Sequence, residues 1–162
     1  MSRGLYYFLK LFRVGLLFLY VSAIDAAVQK FVEIDPVFEL YVKTFEQDLA
    51  RFGCPQKIEN ISVSLQDLGR VDGSIIGLCL RGLFNRSVSI DRGAWLGASD
   101  EERKGLIYHE LGHCVLGRGH EDGEFVLTRR AKSLMNSFAV TRWQFDEDYY
   151  LEDLFSGCKD LF

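Results

Sequence analysis

The sequence predicts an α+β fold in which three amphipathic helices accompany a small twisted mixed sheet of three or four strands. Apolar residues recur at three- and four-residue steps in three segments, which is the spacing of a buried helix face. In shorter segments between the first two helices, apolar and polar residues alternate, as in half-buried strands. The chain of 162 residues is long enough for one domain with a real core and too short for two.

The N-terminus differs from the rest of the chain and has the composition of a secretory signal peptide. Basic residues precede an apolar run over 14–20, and small residues follow it. We expect residues 1–23 to be a signal peptide and residues 24–162 to be the mature domain, secreted or periplasmic in the bacterial envelope. An uncleaved signal anchor is the alternative, because residues 5–9 are also apolar, although Lys10 interrupts the longer stretch.

The charge of the mature part argues against a nucleic-acid partner. Residues 1–23 contain three basic residues and no acidic one, so the remainder has 16 basic and 23 acidic residues and a net charge of −7. An acidic domain gains nothing from a phosphate backbone. We expect a protein or peptide substrate instead, and membrane contact only if the N-terminal segment stays as an anchor.

Four cysteines follow the signal segment: Cys54, Cys79, Cys114 and Cys158. An even number in a secreted domain indicates two disulfides, for which three connectivities exist. The pairing Cys79–Cys114 with Cys54–Cys158 is favoured, because the first two belong to a strand and a helix expected to be neighbours and the others lie near the domain ends. Zinc binding by the cysteines is the alternative, although the chain contains no C-x-x-C pair.

The first helix is predicted over residues 36–52. Asp35 is a suitable N-cap, Pro36 a suitable first residue, and Gly53 can end the helix. The apolar residues of this helix recur at helical spacing and are predicted to be core: Phe38, Tyr41, Phe45, Leu49 and Phe52.

Three strand candidates follow the first helix. Residues 61–65 alternate between apolar and polar, and so do residues 86–91. Between them, a turn at Asp72 precedes a more apolar run over 74–80, which could be a central strand. Residues 82–85 are predicted to be the turn that joins this run to the next strand.

The second helix is predicted to begin at Ser99, which has the spacing of a capping box with Glu102. One face of this helix is apolar, and the opposite face carries His109 and His113. Gly117 is among the glycines that end it.

All three histidines of the chain fall within twelve residues, starting with H-E-L-G-H at 109–113. Residues four apart lie on one face of a helix, so His109 and His113 can bind a single metal ion. This arrangement holds zinc and supplies a general base, here Glu110. A catalytic zinc takes three protein ligands and leaves one position for water, so His120 is the first candidate for the third. The carboxylates that could replace it are Glu121, Asp122 and Glu124.

These residue types predict a zinc-dependent hydrolase. Bound Zn²⁺ would lower the pKa of its water from about 15.7 to about 7, and Glu110 would take the proton. The resulting hydroxide would attack a carbonyl polarised by the same ion, and the proton would then pass to the leaving amine.

The segment from residue 109 onward resembles the metzincin clan of zinc endopeptidases, whose long motif is H-E-x-x-H-x-x-G-x-x-H followed by a methionine turn. The resemblance implies a metzincin-like zincin domain with an active-site helix, a Met-turn and a C-terminal helix. The roles it implies are those of zinc ligands for His109, His113 and His120, of the base for Glu110, and of a hydrophobic floor beneath the metal for Met135.

This chain departs from the clan in the spacer between His113 and His120, which is one residue longer. Leu116 therefore stands where the glycine of the motif belongs, and Gly117 follows it. This departure leaves the identity of the third ligand open.

The wider pattern is similar to small secreted bacterial metallopeptidases in which H-E-L-G-H-C is followed by R-x-H and S-[IL]-M. This chain matches at Arg118, His120, Ser133 and Met135. The similarity covers roughly residues 74–156.

Two further parts of the chain have simple interpretations. Trp95 is predicted to be a core residue before the second helix. The last helix, about residues 146–156, is amphipathic. Its Tyr149 and Tyr150 could stabilise an oxyanion, although packing of the helix explains both residues as well.

The function predicted from the sequence is that of a secreted or periplasmic zinc-dependent endopeptidase with one catalytic Zn²⁺. The alternative is a zinc-stabilised envelope or binding protein that keeps the fold without turnover. Glu110 favours the enzyme, because a structural zinc needs ligands but no base. The longer spacer favours the alternative, since His120 could complete a closed site.

Overall fold

A four-stranded mixed sheet organises the fold. The computed structural model describes residues 31–70, 75–138 and 143–158. The strands are β1 (Val32–Ile34), β2 (Ile61–Gln66), β3 (Gly77–Arg81) and β4 (Arg86–Asp91). They lie in the order β1-β2-β4-β3, with β1–β2 and β2–β4 parallel and β3–β4 antiparallel. The predicted mixed sheet of three or four strands is therefore confirmed.

Four α-helices accompany the sheet in the described residues. They are α1 (Glu39–Arg51), α2 (Arg92–Gly97), α3 (Asp100–Leu111) and α4 (Glu147–Phe155). Short 3-10 turns precede α1 and flank α4, at Pro36–Phe38, Trp143–Asp146 and Ser156–Cys158. The α+β class is confirmed, and α1, α3 and α4 are the three predicted helices.

Some predictions fall on residues that the structure does not describe. The signal segment, residues 1–23, is one of them, and the turn at Asp72 is another. From Val32 to Phe162 the chain forms one compact unit. Within the described ranges, no helix is both long and apolar enough to cross a bilayer.

The start of α1 differs from the prediction in the role of Asp35. Its side chain makes no cap hydrogen bond. The Asp35 carboxylate instead accepts a hydrogen bond from the backbone N–H of Leu65 at 2.9 Å, and the Asp35 N–H donates to the carbonyl of Val63 at 2.9 Å. Asp35 therefore ties the end of β1 to β2. Pro36 does begin the first turn, and Gly53, with a φ of +70°, follows the end of the helix as predicted.

The aromatic face of α1 forms the centre of the core, as the spacing predicts. Phe45 is fully buried, and its ring lies 5.1 Å from that of Tyr108 on α3 and 5.3 Å from that of Phe155 on α4. Phe38 packs edge-on against Trp95, at 4.7 Å between ring centroids. These contacts fix α3 relative to α1 and α4, so the position of the histidine-bearing helix depends on the aromatic core.

The prediction of a central strand over residues 74–80 is wrong. The observed strand begins at Gly77 and lies at the edge of the sheet, paired with β4 alone among the described strands. The interior strands are β2 and β4, and four of their apolar side chains are buried: Ile61, Val63, Val88 and Ile90. The apolar run over 75–79 has a different cause, since its side chains line a cavity beside α3.

Two short elements have no signal in the sequence analysis. β1 has three residues, too few for alternation to be recognised, and it exists because it pairs in parallel with Ile61–Val63 of β2. α2 has six residues, and its N-terminus is capped by Asp91, whose carboxylate accepts a hydrogen bond from the N–H of Ala94 at 2.9 Å.

Two disulfides are present, and both are the favoured ones. Cys54–Cys158 joins the end of α1 to the turn after α4, and Cys79–Cys114 joins β3 to the end of the histidine-bearing helix. The described residues contain no free cysteine. Two disulfides suggest an oxidising location, extracellular or periplasmic.

Candidate metal centre

α3 presents the histidines from a firmly fixed N-terminus. The Ser99 hydroxyl accepts a hydrogen bond from the N–H of Glu102, and the Glu102 carboxylate accepts one from the N–H of Ser99 at 2.8 Å. This is the predicted capping box. The apolar face of the helix is fully buried, whereas His109 and His113 are only partly buried on the opposite side.

The two helix histidines are oriented by backbone carbonyls. The Nδ1 of His109 lies 2.7 Å from the carbonyl oxygen of Leu134, and the Nδ1 of His113 lies 2.7 Å from that of Arg118. A carbonyl can only accept, so each Nδ1 must carry the proton that it donates. The Nε2 atoms of the two rings then face each other at 3.0 Å.

Burial keeps these imidazoles neutral. It lowers the pKa of His109 to about 4, and it also lowers the pKa of His113. A neutral ring that is protonated at Nδ1 has a free lone pair at Nε2, so two lone pairs point at one another. In a tetrahedral zinc site with Zn–N bonds of about 2.0–2.1 Å, two ligand nitrogens lie about 3.3 Å apart. The donor atoms and their spacing therefore fit a shared cation.

A wide turn at the end of α3 leads to the third histidine. The helix continues as a single π-helical turn over Gly112–Leu116, and Gly117 then adopts the left-handed conformation with a φ of +73°. The carbonyl of Gly112 accepts hydrogen bonds from the N–H groups of Gly117 and Arg118. The chain thereby reverses direction directly after the helix.

The reversal brings His120 to the other two histidines. Its ring centroid lies 5.3 Å from that of His109 and 4.8 Å from that of His113. One ligand nitrogen from each of the three residues lies within 4.8 Å of the other two. The three predicted ligands therefore form a group that could bind a metal ion.

The alternative carboxylate ligands are committed elsewhere. Glu121 forms an ion pair with Arg118 at 2.8 Å. Asp122 accepts hydrogen bonds from the N–H and hydroxyl of Ser137. The remaining candidate, Glu124, is paired with Arg129 at 3.1 Å. His120 is the residue that joins the two helix histidines.

Glu110 is buried beside the histidines and lines the same cavity. Burial raises the pKa of its carboxyl group to about 8. Within the described ranges, the carboxylate accepts no hydrogen bond, and its nearest wall is the backbone of β3 at Gly77. Its position is therefore set by packing.

Met135 lies under the helix at the level of the histidines. It is fully buried, and a Cβ atom added at Gly112 would lie 2.5 Å from its sulfur. The N–H of Met135 donates to the hydroxyl of Ser133, which donates to the carboxylate of Asp153 on α4. The glycine of H-E-L-G-H is thus the position where Met135 approaches the helix.

Arg118 belongs to the site, although the sequence predicted no role for it. Its guanidinium donates hydrogen bonds to the backbone carbonyls of Asp153 and Leu154, near the end of α4, and pairs with Glu121. The same residue supplies the carbonyl that orients His113. Its occurrence in the R-x-H pattern was the available signal, but that pattern does not identify α4 as the partner.

The structure does not place Tyr149 and Tyr150 at the site. The Tyr149 hydroxyl donates to the carbonyl of Lys132 at 2.8 Å, and the Tyr150 hydroxyl donates to that of Ala131 at 2.6 Å. Neither tyrosine lines the cavity. The suggested oxyanion role is therefore not supported, and both residues hold the segment before Met135 against α4.

A cavity of about 780 Å³ runs between β3 and α3 and includes all three histidines. Its walls are mainly apolar, with Leu78 from β3, Ile76 directly before that strand, Leu106 from α3 and Phe138 beyond Met135. Arg81 also lines the cavity, and it has no ion pair among the residues that the structure describes. A cavity of this size is comparable to sites that bind small molecules or a few residues of a peptide.

Comparisons with known proteins give no relative for this chain. No family model matches it, and neither a characterised protein nor a solved structure is significantly similar to it.

Proposed function

We propose that this protein is a secreted or periplasmic zinc-dependent endopeptidase with a metzincin-like site. The observation that carries the proposal is the joint placement of three imidazoles and one buried carboxylate on a single apolar cavity. A structural metal site needs the imidazoles alone. The carboxylate beside them is the additional group that hydrolysis requires.

Zn²⁺ is the metal that this donor set favours. Imidazole nitrogens also suit copper, iron and nickel, but three histidines with one open position are the common arrangement of catalytic zinc. When bound, such an ion lowers the pKa of water and polarises a substrate carbonyl. His109, His113 and His120 would hold it, and the carbonyls of Leu134 and Arg118 would keep two of the rings in the required tautomer.

Glu110 is the group that would move the proton. Its carboxylate lies in the cavity without a hydrogen-bond partner among the described residues, so it is free to accept a proton from water and pass it to a leaving amine. A carboxyl group of this kind needs a pKa that is raised toward neutral pH, and burial raises the pKa of Glu110.

The edge strand favours an extended peptide as substrate. β3 lines the cavity, and no other described strand pairs with its outer side. An extended peptide could add to this edge through backbone hydrogen bonds, with its side chains meeting the apolar walls. Arg81, which also lines the cavity, would favour an acidic side chain in the peptide.

The metzincin resemblance is supported by two features around the metal centre. Met135 packs beneath the helix at Gly112, as the floor residue of that clan would. The turn over Gly112–Leu116 is wider than an α-helical turn, so it accommodates the extra residue of the spacer before His120.

A Glu110→Gln variant tests the enzymatic proposal against the non-catalytic alternative. Glutamine has nearly the same size and cannot act as a base, so we expect unchanged metal content and a loss of peptide cleavage of about 10²–10⁴-fold. Metal would be measured by elemental mass spectrometry and cleavage with a library of quenched fluorescent peptides.

Glu124→Gln is the matched control, because this carboxylate is half-exposed and pairs with Arg129. It should leave both readings unchanged. Metal binding by the wild-type protein without any peptide cleavage would favour the zinc-stabilised binding protein.

A further inference from the structure

We propose that Gly77 and the Cys79–Cys114 disulfide act as positioning elements that hold the Glu110 carboxylate in its catalytic orientation. The proposal rests on the proposed function of Glu110 as the base. It concerns how an edge strand, which has only one described neighbour, controls the group that moves the proton.

Glu110 lies in van der Waals contact with the backbone of β3. A Cβ atom added at Gly77 would lie 2.8 Å from Cδ and 2.9 Å from Cγ of Glu110, and closer still to Oε1. Real Cβ atoms essentially never approach other atoms so closely, so any side chain at residue 77 must displace the carboxylate. Gly77 is therefore required here for close approach, and a positive φ is not the reason.

Packing is what holds the carboxylate, because the described residues offer it no hydrogen bond. Glu110 is 4% exposed, so the surrounding atoms leave it few alternative rotamers. Removing or adding a few atoms at this wall should change the orientation of the carboxylate. It should not change His109 and His113, whose rings are held by separate carbonyls.

The Cys79–Cys114 disulfide joins the same two segments next to the contact between Gly77 and Glu110. Cys79 lies two residues after Gly77, on the same face of the strand, and Cys114 lies four residues after Glu110, in the π-helical turn that continues α3. The Cys79–Cys114 bond therefore fixes the separation of β3 and α3 directly beside the Gly77–Glu110 contact. A covalent link is suited to an edge strand, whose pairing on one side alone holds it weakly.

Kinetics of Gly77→Ala provide the first test. We expect kcat to fall about 10- to 100-fold with KM and metal content unchanged, because the base is displaced while cavity and ligands remain. Gly123→Ala is the control, since its Cβ would make only ordinary contact, at 3.5 Å from the Lys132 side chain. An unchanged kcat in Gly77→Ala, from an active enzyme, would overturn the proposal.

The two disulfides form a second matched pair. Replacing Cys79 and Cys114 by alanine should lower kcat, whereas replacing Cys54 and Cys158, which lie outside the cavity, should lower the melting temperature but not kcat. Equal effects of the two double variants on kcat would contradict a positioning role for Cys79–Cys114.

A stability cycle reports on the contact without any activity. Gly77→Ala should lower the melting temperature by about 3 °C or more in the wild-type background and by much less in a Glu110→Ala background, where the clash is absent. Equal shifts in the two backgrounds would show that residue 77 does not contact Glu110. If the cycle shows coupling but the wild-type protein cleaves no peptide, the proposed function fails and the catalytic part of this inference fails with it.

Discussion

At the scale of single residues, the site depends on atoms that no side-chain pattern specifies. The orientation of His109 is set by the carbonyl of Leu134, and that of His113 by the carbonyl of Arg118. Both carbonyls lie outside α3, in segments that follow it. A ligand motif identifies which rings can bind a metal, and these carbonyls decide which nitrogen of each ring is free to do so.

Replacing the third histidine tests the ligand set. Loss of a group that hydrogen-bonds to a metal ligand costs about 10–100-fold in metal affinity, so His120→Ala, which would remove a ligand itself, should cost more than about 100-fold. Zinc content by elemental mass spectrometry and titration against a competing chelator would measure this effect. Full zinc retention by His120→Ala would assign the third position to a different residue.

At the scale of elements, one arginine joins the segment between α3 and His120 to the last helix, α4. Arg118 reaches two carbonyls near the end of α4 with its planar guanidinium, and its side chain is only 17% exposed. Cations are favourable at the C-terminal end of a helix. Ser133 contributes a parallel link, since its hydroxyl joins Asp153 of α4 to the N–H of Met135. α4 therefore supports both the segment that contains Arg118 and the segment that contains Met135.

Arg118→Lys should loosen this support. Lysine lacks the fork that reaches two carbonyls and a carboxylate together, so we expect metal affinity to fall about 10-fold and the melting temperature to fall by a few degrees. Arg51→Lys is the control, because its pair with Asp148 also joins a helix to α4 but is exposed. Chelator titration and thermal unfolding of the two variants would give the comparison, and equal metal affinities would exclude a role for the Arg118 side chain in positioning the carbonyl that orients His113.

At the scale of the whole molecule, the two disulfides connect parts of the chain that are far apart in sequence. Cys54–Cys158 closes a loop of 104 residues, which in the chain-entropy view contributes about 4–5 kcal/mol to folding. The three histidines, in turn, connect α3 to the loop that leads to Met135. A bound ion would therefore stabilise the folded domain in addition to its proposed role in catalysis.

Metal removal should lower global stability. A ligand that binds only the folded state at 1,000 times its Kd adds about 4.1 kcal/mol, so adding zinc to metal-free protein should raise the melting temperature by about 10 °C or more. Differential scanning calorimetry with and without zinc would measure the shift. A His109→Ala/His113→Ala variant should show none, and a wild-type protein that shows none would contradict a metal site in the folded domain.

The features that the sequence determines by itself are local. Helical spacing in α1, α3 and α4, the capping box at Ser99 and the H-E-x-x-H segment all depend on residues a few positions apart, so neighbouring residues suffice to predict them. The disulfide pairing was predictable as well, because it follows from which elements carry the cysteines.

The tertiary structure decided the features that depend on residues distant in the chain. The edge position of β3, the use of Asp35 on β2 instead of α1, and the commitment of Tyr149 and Tyr150 to backbone carbonyls all follow from strand order and helix packing. A short apolar run has the same composition whether it fills the centre of a sheet or lines a cavity at its edge. Only the contacts between elements distinguish the two, and they also bring Gly77 against Glu110.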